Sequence, residues 1–203
     1  GTPKFVHMGD NHPYPNAPKA ACQDYAESQG FEVLNPIVYS LKPGDAKGQC
    51  LSLEDAGADY AYLANTSGSN ISLLKSCATV GVDTQFVTNV WGFDEEAVDA
   101  AGEAGDGIVF PVGAARWGAD VPGMETIKAI SRMSDPSGEK SRALHYMRGV
   151  CSVYFMRDAM KRAAEGDGIT GPNVKAALES MEGHVPAELE GVCLPHTWTA
   201  ENH

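Results

Sequence analysis

The sequence predicts an α/β fold built on an open, mostly parallel sheet with flanking helices. Short apolar runs recur five times up to Val112, and helical spacing of apolar residues follows each of them. Strands that alternate with helices favour right-handed strand–helix–strand units, which place successive strands parallel. After Ser134 the alternation stops, because two helical segments follow one another without a convincing strand between them. We therefore expect a Rossmann-like α/β lobe over residues 1–133 and a helical segment with a tail over residues 134–203.

The predicted elements follow from short apolar runs for the strands and from polar or proline starts and glycine stops for the helices. The strands are Lys4–Met8, Glu32–Tyr39, Tyr60–Ala64, Gln85–Thr88 and Ile108–Val112. The helices run from about Asn16 to Gln29, Cys50 to Ala56, Ile71 to Val80, Glu95 to Ala104, Pro122 to Met133, Arg142 to Glu165 and Pro172 to Met181. In the longest helix we expect an inward stripe of Tyr146, Val150, Val153, Met156, Met160 and Ala163, and in the tail an irregular strand pair.

Composition narrows the classes of function. The chain has 203 residues, of which 43% are apolar and 21% charged, a composition typical of globular proteins. Its net charge of -12 opposes contact with nucleic acid or anionic lipid, because like charges repel. No apolar run is long enough to span a membrane. The sequence from Gly1 onward has the pattern of folded structure and not that of a signal peptide. We expect a cytosolic protein or one whose leader has been removed.

The five cysteines, Cys22, Cys50, Cys77, Cys151 and Cys193, are scattered and lack the spacing of a zinc site. An odd number leaves at least one thiol unpaired in a monomer. Burial as small hydrophobic residues is the favoured role, whereas an oxidising compartment would allow one or two bridges that the sequence does not pair. The histidines His145, His184, His196 and His203 show no i, i+4 pairing, so neither a metal nor a cofactor is predicted.

The segment Asp59–Val80 joins a buried strand to an amphipathic helix through the polar loop Asn65–Asn70. This loop offers hydroxyls, amides and backbone N–H groups at a helix N-terminus, where an anionic or polar ligand is favoured. The simpler interpretation is helix capping by Ser67 or Ser69. Taken alone, the loop favours capping.

Ligands of open α/β sheets bind beyond the carboxyl ends of the strands, and this rule selects four loops. They are Gly9–Asn16, Asn65–Asn70, Asn89–Asp94 and Gly113–Asp120, the last with Arg116 and Trp117. Amide, hydroxyl and aromatic groups predominate, and no nucleophile–base set is present. We therefore predict a recognition surface without catalytic residues, whose candidate ligand contacts are Asn11, His12, Tyr14, Asn65, Thr66, Ser67, Asn89 and Trp91.

Four segments together resemble the second lobe of type I periplasmic binding proteins, the substrate-binding subunits of branched-chain amino acid type ABC transporters. In that family a D-x-x-x-Y-G type loop, a P-G-x-x-D/A loop and A-G-A-D followed by apolar residues occur in this order. Here GDNHPYPNAP, LKPGDAKGQ and AGADYAYLAN take those places, and LEGVCLPHTWTAENH is similar to the closing segment. The resemblance implies a periplasmic protein that binds a small molecule between two lobes and delivers it to a membrane permease.

Matched residue by residue, the resemblance makes Tyr14 the aromatic side chain that covers the ligand and places Thr66 or Ser67 in a ligand-facing loop. Val90 or Trp91 stands where amino-acid binders of the family carry an acidic residue for the ammonium group. A buried ammonium without a carboxylate partner is costly. A neutral, aromatic or simple carboxylate ligand is therefore expected, with Trp91 as a stacking wall.

The chain also begins where the second lobe of the family begins, so the resemblance implies that the first part of lobe one is missing. The helix Arg142–Glu165 would then expose an apolar stripe, to be covered by a second chain or a missing segment. Two other functions remain open at this point. They are an α/β enzyme or cofactor-binding domain, and the ligand-sensing domain of a receptor with the same fold.

Overall fold

The computed structural model describes residues 1–202, which form two compact units. The first unit comprises residues 1–111 and the second begins at Val112. Each unit has its own elements and is described separately. The boundary near residue 133 that the sequence predicts, between an α/β lobe and a helical segment, stays a prediction.

The first unit is a parallel five-stranded sheet with flanking helices, as the sequence predicts. Its strands are β1 (Lys4–Gly9), β2 (Glu32–Val33), β3 (Ile37–Val38), β4 (Tyr60–Leu63) and β5 (Gln85–Thr88). The order across the sheet is β2-β1-β4-β5, and β3 pairs with the distal part of β1. Its helices are α1 (Pro13–Asn16), α2 (Lys19–Ser28), α3 (Lys47–Ala56), α4 (Ser67–Val80) and α5 (Glu95–Ala101), and a 3₁₀ turn follows at Gly102–Gly105.

Two strand predictions are corrected. The strand expected over Glu32–Tyr39 is split, because Phe5 lies opposite Val33 while Met8 lies opposite Ile37. The two pairs are three residues apart in β1 but four residues apart in the partner segment. The extra residue forms a β-bulge around Pro36, which has no N–H to donate to the ladder. The strand expected over Ile108–Val112 is reduced to a single bridge between Val87 and Val109.

The core of the first unit lies between the sheet and its helices. Its fully buried side chains include Val6, Met8, Leu53, Leu63, Leu73 and Phe93. Helices α3 and α4 end at Gly57 and Gly81, which take positive φ values of 62° and 78°. The two helices are joined by a disulfide between Cys50 and Cys77.

The second unit contains the helices α6 (Met124–Ser134), α7 (Leu144–Glu165) and α8 (Gly171–Glu179), with a 3₁₀ turn at Ala187–Leu189. The predicted strand pair in the tail is present only as an antiparallel bridge between His184 and His196. A second disulfide joins Cys151 of α7 to Cys193. Four of the cysteines are thus buried, as expected, and form the two bridges that the sequence allows but does not pair, and Cys22 is the free thiol.

The inward face of α7 also differs from the prediction. Its buried residues are Leu144, Met147, Cys151, Phe155, Ala159 and Ala163. Val153, Met156 and Met160 of the expected stripe are instead 67%, 45% and 39% exposed. The helix carries two apolar stripes, and the periodicity of the sequence does not say which one the unit buries. Among residues 1–202, no helix has the length and hydropathy needed to cross a membrane.

Candidate functional site

Three of the four loops selected from the sequence meet at the carboxyl edge of the sheet in the first unit. They follow β1, β4 and β5, and Asn89 connects all three of them. Its Oδ1 accepts from the Tyr14 hydroxyl at 2.9 Å and from the Trp91 N–H at 2.8 Å. Its Nδ2 donates to the carbonyl of Ala64 at 3.1 Å. The fourth loop, Gly113–Asp120, belongs to the second unit, and its part in a common site stays a prediction.

A buried amide network supports these loops from beneath. Asn70, in the first turn of α4, is fully buried and donates from Nδ2 to the Asn65 carbonyl, the Thr88 hydroxyl and the Gly92 carbonyl at 3.0–3.1 Å. Its Oδ1 accepts from the buried Tyr39 hydroxyl. Every polar atom of the Asn70 side chain thus has a partner, which holds the segments after β3, β4 and β5 together.

Asn65 belongs to the same buried layer. Its side chain is 0% exposed, its Oδ1 accepts the Asp10 N–H at 2.9 Å, and its Nδ2 donates to the carbonyls of Tyr39 and Ser40 at 3.2 Å. A direct ligand contact, as expected from the sequence, does not fit this burial. Asparagine after a strand is a common loop residue, and nothing in the sequence distinguishes a supporting amide from an exposed one.

The loop after β1 is held by its own polar groups. The Asp10 carboxylate accepts the N–H of Leu41 at 2.8 Å and the N–H of His12 at 3.0 Å. His12 caps α1, because its Nδ1 accepts the Tyr14 N–H at 3.2 Å. A neutral His12 ring therefore carries its proton on Nε2. Asn11, His12 and Tyr14 are all exposed, as a ligand contact requires.

Helix α4 begins without the predicted serine cap. Its N-cap residue is Thr66, whose side chain makes no capping hydrogen bond. The Ser67 N–H donates to the Trp91 carbonyl at 3.1 Å, and the Ser69 hydroxyl donates to the Ser40 carbonyl at 2.6 Å. Within residues 1–202 the N–H of Gly68 has no protein acceptor. Thr66 is exposed and Ser67 is half-buried, so both lie at the open end of this helix.

Two titratable side chains lie together in the sheet behind these loops. The ring of His7 in β1 lies 5.7 Å from that of Tyr62 in β4. The His7 side chain is buried, and burial lowers its pKa. Its Nε2 has no hydrogen-bond partner within the described residues. Burial raises the pKa of Tyr62 to about 12, so both groups are neutral at neutral pH.

The exposed part of the edge is polar and aromatic, and its two aspartate carboxylates accept hydrogen bonds from backbone N–H groups. Trp91 is 51% exposed and Tyr14 is 37% exposed, and burial raises the pKa of Tyr14 above its ordinary value. The Asp10 carboxylate accepts two backbone N–H groups, and Asp94 caps α5 by accepting the Ala97 N–H at 2.9 Å. In residues 1–202 no group of three or more histidine, cysteine, aspartate or glutamate side chains could hold a metal ion. His203 lies outside the described residues.

The sequence and the fold also match known proteins. A model of a periplasmic binding protein family matches residues 1–203. The chain belongs to this family. A search of curated proteins found no match to the sequence.

Solved structures resemble this periplasmic binding protein over nearly its whole length. One is a branched-chain amino acid ABC transporter protein from Thermus thermophilus with bound valine, with 20% identity and a TM-score of 0.83 over 99% of this chain and 54% of that chain. Another is an ABC transporter substrate-binding protein from Aeropyrum pernix, with 24% identity and a TM-score of 0.80 over 100% and 58%.

A third solved structure holds a different ligand. It is a solute-binding protein of an ABC transporter from Rhodopseudomonas palustris BisB5 in complex with 3,4-dihydroxybenzoic acid, with 15% identity and a TM-score of 0.71 over 100% of this chain and 53% of that chain. The present binding protein thus spans about half the length of the structures it resembles. At these identities the likeness establishes the shared fold.

Proposed function

We propose that this chain provides one wall of the ligand cleft of an ABC-importer solute-binding protein, which delivers a small molecule to a membrane permease. The observation that carries the proposal is the edge at which Tyr14, Thr66 and Trp91 are exposed above a fully hydrogen-bonded amide layer. Such an edge binds and releases a ligand without bond chemistry, because it offers donors, acceptors and aromatic faces but no nucleophile–base pair.

An extracytoplasmic location, the periplasm in particular, is part of this proposal. Family membership implies export of the protein. The two disulfides support the same location, because such bonds persist in oxidising compartments and are rare in the cytosol.

The ligand class follows from charge. Within the first unit, the Asp10 and Asp94 carboxylates accept backbone N–H groups of nearby segments, and Val90 or Trp91 stands at the position expected to carry an acidic partner for an ammonium group. The start of α4 offers the Thr66 hydroxyl and the Gly68 N–H, both suited to a carboxylate at a helix N-terminus. We infer an aromatic or simple carboxylate, with the Trp91 ring as a stacking face.

A thermal-shift screen tests the proposal with amino acids, aromatic acids, short carboxylates and amides. A true ligand at about a hundred times its Kd stabilises the folded state by about 2.7 kcal/mol and is not turned over. Tyr14→Ala and Trp91→Ala should reduce this shift, whereas Tyr25→Ala, at an exposed tyrosine of α2, should keep it. Stabilisation by amino acids alone would contradict the inferred ligand class, and no stabilisation by any compound would contradict binding.

A second part of the proposal concerns the α7 surface, defined as Val153, Met156, Met160 and Ile169. These residues line a groove of about 560 Å³ with Arg157 and Lys161 at its sides. Exposed apolar patches of this kind mark interaction sites. We propose that a polypeptide corresponding to the unmatched half of the related structures covers it, either as a second chain or as a further segment.

Charge substitution on the α7 surface tests this coverage. The chain alone is expected to self-associate at high concentration and to bind an apolar fluorescent dye through this surface. Val153→Asp combined with Met156→Lys should abolish both effects with little change in Tm, because the side chains are exposed. Val98→Asp, at an exposed valine of α5, is the matched control. A wild-type chain that stays monomeric and binds no dye would count against the proposal.

A further inference from the structure

The hydroxyl of Tyr14 has a fixed hydrogen-bonding direction, because the amide of Asn89 is oriented by the backbone on both sides. The backbone N–H of Trp91 can only donate, so it must face the amide oxygen of Asn89, at 2.8 Å. The Ala64 carbonyl can only accept, so it must face the amide nitrogen, at 3.1 Å. These two backbone groups exclude the flipped amide.

The oriented amide determines what Tyr14 can offer to a ligand. The Tyr14 hydroxyl lies 2.9 Å from Asn89 Oδ1, which is an acceptor, so the hydroxyl proton is directed toward Asn89. The remaining hydrogen-bonding capacity of the Tyr14 oxygen is its lone pairs, which accept. Tyr14 is 37% exposed, so this oxygen is accessible from the open side of the loop.

We infer that Asn89 is a positioning residue that makes Tyr14 a hydrogen-bond acceptor, so that the site selects ligands with a hydroxyl or N–H group opposite Tyr14. This inference rests on the proposed solute-binding function and deepens it. With a carboxylate directed to the start of α4, the favoured ligand class is an aromatic carboxylate that carries an uncharged hydroxyl or amino group. A ligand with only a hydrogen-bond acceptor opposite Tyr14 would place that acceptor against the Tyr14 oxygen with no proton between them.

Affinity ratios within one probe series test the inference. The probes are 4-hydroxybenzoate and 4-aminobenzoate, which carry a donor, and 4-methoxybenzoate, which carries only an acceptor. By calorimetric titration, wild type should prefer the donor probes by roughly tenfold, the effect of one satisfied against one unsatisfied hydrogen bond. Equal affinities, or a preference for 4-methoxybenzoate, would overturn the inference.

Three variants separate positioning from general damage to the loop. Tyr14→Phe should bring the ratio within about twofold, because the acceptor is removed. Asn89→Ala should do the same, because the freed Tyr14 hydroxyl can then donate as well as accept. Asn89→Asp keeps an acceptor for Tyr14 and for the Trp91 N–H, and it should therefore keep the preference even if overall affinity falls. A preference retained in Asn89→Ala would overturn the role of Asn89.

A measurement on the free protein makes the test independent of any ligand. Neutron diffraction of deuterium-exchanged crystals of the free protein locates the deuteron of the Tyr14 hydroxyl. We expect it to be directed toward the side-chain oxygen at position 89 in wild type and in Asn89→Asp, and to have no such partner in Asn89→Ala. A deuteron directed away from Asn89 in wild type would overturn the inference. If the deuteron is directed toward Asn89 but no compound binds, the proposed function fails while the polarity of Tyr14 stands.

Discussion

Replacing Asn70 with leucine is expected to lower the free energy of unfolding by roughly 3–6 kcal/mol, because it leaves several buried polar groups unpaired. The Tyr39 hydroxyl loses its acceptor, and the carbonyls of Asn65 and Gly92 lose their donor. Each such group costs roughly 1–3 kcal/mol when it stays buried. Leucine has the branching and the number of side-chain heavy atoms of asparagine, but its methyl groups are bulkier, so the loss includes a cost of overpacking beside the lost hydrogen bonds. Urea unfolding followed by circular dichroism gives the change.

A double-mutant cycle makes the Asn70 prediction specific. Tyr39→Phe in the Asn70→Leu background removes a hydroxyl that no longer has a partner, so it should cost less than in wild type or even recover stability. Thr79→Ala serves as the control in the same helix, because its exposed hydroxyl only donates to the Lys75 carbonyl. It should change stability by less than about 0.5 kcal/mol. A loss below about 1 kcal/mol for Asn70→Leu would show that the network is not structural.

Removing either disulfide is the second large effect that we expect. The bridged cysteines are separated by 27 residues in the first unit and by 42 in the second. In the chain-entropy account, opening loops of these lengths costs roughly 3–4 kcal/mol each. The double variants Cys50→Ala with Cys77→Ala and Cys151→Ala with Cys193→Ala should each lower the Tm, and a reducing agent should lower it for wild type.

The free thiol provides the control for the disulfide prediction. Cys22 is half-buried and unbridged, so Cys22→Ser should behave like wild type with and without reductant. Combining both double variants should make the Tm insensitive to reductant. If reductant leaves the wild-type Tm unchanged while both bridges are intact by mass, the bridges do not stabilise the folded state.

Much of the fold could be predicted because local signals agree with it. The strand Gln85–Thr88 was located to the residue, and the glycines that end α3 and α4 are visible as stop signals. The bulge around Pro36 was not predicted, since proline there is equally compatible with a strand end. The predicted inward stripe of α7 is wrong for Val153, Met156 and Met160, because two apolar stripes on one helix differ only in which neighbour packs on them.

The sequence predicts which loops meet at the edge of the sheet, but not which of their amides support the loops from within. The edge rule brings together the loops after β1, β4 and β5, and it also selected Asn65 and Asn89, whose amides bond within the protein. Asn70 and Thr88 were missed as supports, because an asparagine in the first turn of a helix and a threonine at the end of a strand are both ordinary there. Which amide is buried depends on the packing of several segments at once, and no local pattern records it.

The bulge beside β1 has a consequence for how copies of the chain meet. An exposed sheet edge normally acts as a template onto which another chain adds a strand. At this edge β2 and β3 are two residues each, and they lie in different registers on either side of Pro36. A foreign strand could therefore stay in register for only one short stretch before losing its partner. The segment around Val109 borders the opposite edge at β5. The edge formed by β2 and β3 is thus a poor template for edge-to-edge polymerisation.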